Sequence, residues 1–421
     1  MTEAEAIPRL LLVLAALLVT AKLLGALAQR VGQPAVLGEL LAGVLLGASV
    51  FGVLDPADPV IHSLSELGVI VLLFEIGLHT DLRAMAKVAG TATTVGTVGV
   101  VVPFVLGYAG GSSILDLDRV PALVCAAALT ATSIGISARV LSDIGQLKSR
   151  EGQVVLGAAV LDDIIGLIVL SVVASIVTGG SWTMLGVLRT TAIAVGFIVA
   201  ALTLGRLLAR PVFSSIETIR APGTLAIVAL AFAFLLSSLA ATFGSAMILG
   251  AFAAGLILHT TSERVEIQRT TTAIGHFVCP IFFASVGASV QLSAFSELKT
   301  LSAAGLLIVV GVAGKFLSAY APWWFRGNKP LIGVAMIPRG EVGLIFAQMG
   351  LATHAISPSL FSALTLMVMA TTFLAPPILA RIGAKSIAHE PVRDDVGIDD
   401  LVSGDWAQRT PRSAPAPEGP E

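Results

Sequence analysis

Two adjacent aspartates, Asp162 and Asp163, stand in the middle of an apolar run, Gly157-Ala-Ala-Val-Leu-Asp-Asp-Ile-Ile-Gly-Leu-Ile-Val-Leu170. The run from about 154 to 177 is long enough to cross a bilayer, because a helix rises about 1.5 Å per residue and the hydrocarbon core is about 30 Å thick. Each aspartate costs roughly 2.5–3.5 kcal/mol there, so packing does not account for two in a row. Neighbouring helical residues point about 100° apart, and the pair therefore faces two different partners. The chemistry this suggests is exchange of a monovalent cation for protons. A hard cation takes carboxylate, hydroxyl and carbonyl oxygens. A buried carboxylate beside a like charge can hold a proton and yield it to a cation. One site that takes either ligand, but never moves empty, gives obligatory exchange. Two neighbouring acids titrate as a coupled pair.

The other ionisable residues well inside apolar runs are Lys315, Arg339, Glu341 and Glu75, with Glu39 near the end of its run. Embedded charges pair with one another or line a wet path. Lys315, in Gly314-Lys-Phe316, is the natural partner for one aspartate; the alternative is snorkelling to the interface. Arg339 and Glu341, two residues apart, suit a local pair. Glu75 and Glu39 suit helix bridging, capping or pH sensing. Arg139 and Lys22 are expected to snorkel to the membrane edge.

The elements that must position these charges are helices in a membrane. Of 421 residues, 56% are hydrophobic and only 12% charged, against about 25% charged in soluble domains; the mean hydropathy is +0.93. The chain is an all-α polytopic membrane protein. Its net charge of -2 singles out no partner, and Cys125 and Cys279 both lie in apolar runs, so no disulfide framework is indicated. The segment before the first run, Met1-Thr-Glu-Ala-Glu-Ala, is acidic where a signal peptide is basic, so the run reads as a retained span. Hydropathy gives about 13 spans, near 8–29, 35–53, 64–80, 88–110, 119–142, 152–178, 184–208, 222–241, 244–260, 271–291, 300–322, 331–351 and 358–382. Lysines and arginines concentrate in alternate connections, from Arg30 through Arg83 and Lys87 to Arg381 and Lys385. The bias puts the N-terminus outside and the C-terminus in the cytoplasm. From about Ile387 to Glu421 the chain is polar, acidic and Pro-rich and reads as a disordered cytoplasmic tail. The tail carries no G-x-G-x-x-G fingerprint for a nucleotide.

An internal repeat is visible. Gly32-Gln-Pro-Ala-Val-Leu-Gly-Glu-Leu-Leu-Ala-Gly43 aligns with Gly244-Ser-Ala-Met-Ile-Leu-Gly-Ala-Phe-Ala-Ala-Gly255 at an offset of 212. Leu73-Phe-Glu-Ile-Gly77 follows Phe283-Ala-Ser-Val-Gly287 at 210, and Thr130-Ala-Thr-Ser-Ile-Gly135 follows Pro338-Arg-Gly-Glu-Val-Gly343 at 208. Seven spans separate the copies, so they lie in opposite orientation, the inverted-repeat plan of secondary transporters, whose sites are built from interrupted helices at corresponding places. The two interruptions expected are the Thr/Ser/Gly stretch at 129–135 and Ile337-Pro-Arg-Gly340, where Pro and Gly free backbone carbonyls. The alternative for the first is hydroxyl back-bonding in an ordinary helix.

The set Thr130-Ala-Thr-Ser133, Leu161-Asp-Asp-Ile164, Gly314-Lys-Phe316 and Pro338-Arg-Gly-Glu341 resembles the bacterial monovalent cation/proton antiporters of the second cation/proton antiporter family, the NapA-type sodium/proton antiporters in particular. Gly38-Glu-Leu-Leu-Ala-Gly43 and Leu72-Leu-Phe-Glu-Ile-Gly-Leu78 fit the same family, and the resemblance covers about residues 8–385. It implies the sodium/proton antiporter fold with two crossed discontinuous helices, in a homodimer in the cell (inner) membrane. Dimerisation helices would span about 8–80 and 222–291, core helices about 88–178 and 300–382, and a linker helix about 184–208, within one transmembrane domain of residues 1–386; the core would move as an elevator. Asp163 would bind cation or proton, Asp162 would form a switching ion pair with Lys315, Thr132 and Ser133 would lie at the first crossing with Thr130, and Arg339 and Glu341 would support the second. The adjacent acids imply electrogenic exchange, two protons per sodium. No cofactor is implied; the transported ions are sodium or lithium, and protons.

The competing expectations are a potassium/proton exchanger of the same family, a bile-acid-type sodium symporter of related fold plan, and an intramembrane aspartyl protease. The protease needs two carboxylates on one water, which adjacent residues on a helix do not supply. The chain is therefore expected not to be an enzyme, and nothing in it suggests a nucleic-acid partner.

Overall fold

The computed structural model describes residues 3–177, 184–217, 223–243, 246–290 and 298–387, and the described residues contain helices and no strands. The expected tail beyond Ile387 lies outside them. Eight helices are long and apolar enough to cross a membrane: α1 (Glu3–Arg30), α3 (Pro59–His79), α5 (Ala89–Ser113), α8 (Arg150–Val177), α10 (Thr224–Thr242), α12 (Arg264–Ala288), α13 (Leu298–Ser318) and α16 (Pro358–Ile387). Between them lie α2 (Ala35–Leu46), α4 (Leu82–Lys87), α6 (Arg119–Ala128), α7 (Ile134–Asp143), α9 (Met184–Glu217), α11 (Met247–Leu258), α14 (Lys329–Ala335) and α15 (Glu341–Ala352).

Local chemistry sets several boundaries. Asp58 caps α3 by accepting from the N–H groups of Val60 and Ile61 at 2.9 and 3.2 Å, with Pro59 as the first helical residue. Asn328 caps α14 through the N–H of Leu331 at 3.1 Å. Such caps satisfy N–H groups that have no partner within the helix. Asp81 caps the six-residue α4 through the Arg83 N–H at 2.8 Å; hydropathy gave no sign of this helix.

The span expected at 35–53 is shorter. α2 ends at Leu46, although the apolar run continues through Val50-Phe51. The chain turns at Gly47, whose N–H donates to the Gly43 carbonyl at 2.7 Å, and the Leu54 N–H returns to the Leu46 carbonyl at 2.7 Å. α11, at the offset of 212 expected from the sequence, is also 12 residues long. At 12 residues, each is about 18 Å long, less than the bilayer core.

Two sets of helices pack among themselves. One comprises α1, α2, α3, α10, α11 and α12, the other α5, α6, α8, α13, α14 and α15. α9 touches α10 and α11 in the first set and α8 in the second, while α7 touches α2, α3 and α8. In the first set α2 packs on α12 and α11 packs on α3. A Cβ on Gly43 would strike the Ala284 carbonyl, and one on Gly287 the Leu40 carbonyl; a Cβ on Gly77 would strike the Phe252 carbonyl, and one on Gly255 the Phe74 carbonyl. In the repeat expected from the sequence Gly43 corresponds to Gly255 and Gly77 to Gly287, so the α2–α12 and α3–α11 contacts fall at corresponding positions. Small residues permit this backbone approach between membrane helices.

The outer face of α1 exposes Ile7, Leu11, Leu12, Val19, Leu23 and Leu27. In the second set Val124, Ala128, Leu307 and Phe346 share one apolar core with Ala363, Leu364 and Met367 of α16.

Candidate functional site

Two spans are interrupted, where the sequence places Pro, Gly and hydroxyl residues. α6 stops at Ala128 and α7 starts at Ile134; α14 stops at Ala335 and α15 starts at Glu341. The interruptions meet. The Ser133 N–H donates to the Pro338 carbonyl at 2.8 Å, Ser137 Oγ to the Ala335 carbonyl at 2.5 Å, and Thr132 Oγ1 to the Met336 carbonyl at 3.4 Å. Extended backbone inside a membrane persists only where protein satisfies it, and here each break satisfies the other. The positive ends of α7 and α15 open onto this region, and so do the negative ends of α6 and α14.

Arg339 ties the breaks together. Its side chain is fully buried. Nη1 donates to the Ala131 carbonyl at 2.7 Å and Nη2 to the Gly311 carbonyl of α13 at 3.1 Å. The Arg339 carbonyl in turn accepts from Thr372 Oγ1 of α16 at 2.6 Å. The expected local pair with Glu341 is therefore not what holds these Nη groups: one satisfies the Ala131 carbonyl, which the first break leaves without a helical partner, and the other ties the breaks to the middle of α13. Glu341 begins α15, and its side chain lies outside the described residues. Thr130, expected at the crossing, bonds back to the Ala127 carbonyl at 2.7 Å and finishes α6.

The two aspartates diverge as helical geometry requires. Asp162 Oδ1 accepts from Lys315 Nζ at 2.6 Å, and both side chains have no solvent exposure. Lys315 thus does not snorkel. Asp163, 8% exposed, instead lines a cavity with Thr132, Ser133 and Gly340 from the breaks. The opposite wall is apolar: Val69 of α3, Ile248 of α11, and Phe282 and Val286 of α12. The cavity thus lies between the two helix sets. Its volume is about 20 Å³, enough for one water-sized guest, since a water needs roughly 10–15 Å³ of such space. Asp163, Thr132 and Ser133 bring a carboxylate and two hydroxyl residues to an otherwise mostly apolar lining, oxygen donors of the kind that a hard monovalent cation takes.

Glu39 and Glu75 do not line this cavity. Glu39 is 2% exposed on α2, and Glu75 sits on α3 beside Thr272 of α12, with which it hydrogen-bonds. Arg139 pairs with Asp143 one turn along α7 at 3.1 Å rather than reaching freely to the membrane edge, while Lys22 is exposed. Ser137, Thr372 and the apolar wall were not singled out by sequence. The one available signal was Thr371-Thr372 in the middle of a span, 209 residues after the aspartates. Cys125 and Cys279 are buried and free.

The chain matches the family described as sodium/hydrogen exchanger, transmembrane, over residues 13–385. It is 40% identical to the high-affinity Na(+)/H(+) antiporter NhaS3 of Synechocystis sp., with 91% of this chain and 93% of that one covered. It is 30% identical to the Na(+)/H(+)-K(+) antiporter GerN of Bacillus cereus, with 89% and 97% covered. Its fold is similar to that of the sodium proton antiporter MjNhaP1 from Methanocaldococcus jannaschii, at a TM-score of 0.73 and 16% identity, with 93% of this chain and all of that one covered.

Proposed function

The chain belongs to the sodium/hydrogen exchanger family, and on that premise we propose that it exchanges sodium or lithium for protons across the cell membrane at Asp163. It is a multi-pass membrane protein by family and by its eight long apolar helices. The observation that carries the reading is the water-sized cavity that Asp163 borders with Thr132 and Ser133, next to the buried Asp162–Lys315 pair. Asp163 alternates between cation and proton. As the cation binds, Asp162 loosens its hold on Lys315, and the freed lysine releases a second proton. Two protons against one sodium make the exchange electrogenic. Thr132 and Ser133 supply hydroxyl oxygens, and Arg339 holds the breaks in place.

The cavity between two helix sets supports alternating access by an elevator. In this reading α5–α8 and α13–α16 carry the site past a scaffold of α1–α3 and α10–α12, with α9 as the linker. The reciprocal glycine contacts and equal lengths of α2 and α11 support inverted repeats. Eight long and five shorter apolar helices support thirteen spans. The apolar outer face of α1 supports a homodimer through the scaffold. The lysine and arginine bias supports an outside N-terminus and a cytoplasmic C-terminus in the inner membrane.

A second reading, potassium/proton exchange, is favoured by the Na(+)/H(+)-K(+) antiporter named among the relatives. Proteoliposomes test both. Sodium or lithium gradients should drive proton movement and Asp163→Asn should abolish it; exchange driven by potassium alone would select the second reading, and exchange surviving Asp163→Asn would remove Asp163 as the carrier. Clamping the membrane potential with an ionophore reads out electrogenicity.

A further inference from the structure

A cluster of aromatic and basic side chains stands where α13 gives way to α14. The stretch reads Tyr320-Ala-Pro-Trp-Trp-Phe-Arg-Gly-Asn-Lys329, and none of it lines the Asp163 cavity. Its neighbours fix its shape. Phe325 is buried, with the Arg150 guanidinium of α8 5.8 Å from its ring centroid. The Asn328 N–H donates to Glu151 Oε1 of α8 at 2.7 Å, and a Cβ on Gly327 would strike both Glu151 and Phe325. Lys329 Nζ donates to the Pro322 carbonyl at 3.1 Å and lies 6.0 Å from the Tyr320 ring centroid. Trp324 Nε1 donates to Thr91 Oγ1 of α5 at 3.3 Å. The connection is thus clamped to α5 and α8.

Clamped in this way, it turns apolar and positive groups outward together. Trp323 is 81% and Trp324 49% exposed, although the two rings already meet edge to face at 5.8 Å. Arg150 and Arg326 are exposed, and neither has an ion-pair partner among the described residues. Across segments 148–151 and 320–330 the cations are Lys148, Arg150, Arg326 and Lys329, and the one acid is Glu151, which already accepts the Asn328 N–H. Indole rings favour the headgroup level of a bilayer, and basic side chains at that level attract anionic lipid. A phospholipid offers both counterparts at one depth: acyl carbons for the indoles and a phosphate for the guanidinium forks.

We propose that this connection is a binding surface for the headgroup of an anionic phospholipid, with Trp323 and Trp324 at the acyl boundary and Arg150 and Arg326 on the phosphate. α8 and α13 also carry Asp162, Asp163 and Lys315, so the lipid attaches to the helices that carry the buried ion pair. The proposal rests on the membrane placement of the chain and not on the ion exchanged, so its failure leaves the transport reading untouched.

Quenching of tryptophan fluorescence by brominated lipid tests this with the full chain in proteoliposomes. Trp182→Phe with Trp406→Phe leaves Trp323 and Trp324 as the only indoles. The bilayer is phosphatidylcholine with a minor share of phosphatidylglycerol, and bromine is placed on the chains of one lipid or the other. Brominated phosphatidylglycerol should quench beyond its share of the bilayer. The relative binding constant read from that excess should fall about fivefold with each of Arg150→Gln and Arg326→Gln. Arg326→Gln, at an exposed position outside any helix, separates lipid binding from a folding defect at the start of α8. Quenching in proportion to mole fraction overturns the proposal and leaves the indoles an unselective interfacial anchor. Quenching by neither lipid overturns it by placing the pair out of reach of acyl chains. A phosphatidylglycerol preference untouched by the arginine variants overturns it too.

Discussion

Replacing Lys315 with methionine isolates the contribution of the buried ion pair. Exposed pairs contribute about 0–1 kcal/mol, because water already solvates both partners. Here the Nζ to Oδ1 distance is 2.6 Å and neither side chain touches solvent. Asp162 Oδ2 accepts no other hydrogen bond, so the carboxylate depends on Lys315. Removing one partner of such a pair costs about 3–5 kcal/mol, because it leaves a buried charge alone. Methionine keeps most of the stem volume, so the loss is electrostatic rather than a cavity. Adding Asp162→Asn removes the stranded charge and should recover most of the loss, since replacing both members of a buried pair is often close to neutral. The assay is unfolding of the purified protein in detergent for wild type, both single variants and the double, read as a double-mutant cycle. Proteoliposome currents on the same four proteins test the second proton. Lys315→Met lying within about 0.5 kcal/mol of wild type, the range of an inconsequential surface change, would refute the reasoning, and so would a double variant no more stable than the single one.

Arg339→Gln should destabilise the protein by about 1.5–3 kcal/mol for each charged hydrogen bond lost, and denaturation of Arg339→Lys should show little rescue, since one ammonium cannot span the Ala131 and Gly311 carbonyls as a guanidinium does. Gly43→Ala, whose new methyl would strike the Ala284 carbonyl, should cost about 1–3 kcal/mol of overpacking, and Gly255→Ala, whose methyl would strike the Phe74 carbonyl, should cost a similar amount in the same assay. At the surface, the Arg83 N–H beside Asp81 holds its carboxyl below the usual carboxylate range. Its contribution to α4 should therefore be present above about pH 4 and fade as pH falls through the lower folded value; hydrogen exchange of α4 amides against pH reads this, and Asp81→Asn should flatten it.

Much of this was legible because membrane burial makes polar residues costly, so those present declare themselves. The expense of Asp162 and Lys315 pointed to their pairing, and Pro338 and Gly340 marked a break. What the sequence could not show was how the freed carbonyls are satisfied. Arg339 looked like the partner of a nearby acid, yet one Nη serves the Ala131 carbonyl, 208 residues away in the chain, and the other the Gly311 carbonyl of α13. The apolar wall of Val69, Ile248, Phe282 and Val286 carried no signal, since such residues fill every span. Hydropathy also overran the end of α2, because it measures apolarity and not where a backbone turns. The roles of Glu39 and Glu75 stayed open for a different reason: in sequence a bridging or capping carboxylate and a functional one look alike.

The mutual satisfaction of the two helix breaks has a consequence for biogenesis. The Ala131 carbonyl and the Ser133 N–H find their partners in Arg339 and Pro338, which the ribosome adds about two hundred residues later. At about 5–20 residues per second, the first break waits roughly 10–40 s with its backbone groups unmatched. During that interval the nascent first half must shelter them with water or the insertion machinery. The second half then arrives as the mate that the first has been holding a place for, and until it docks the protein is not committed to its fold.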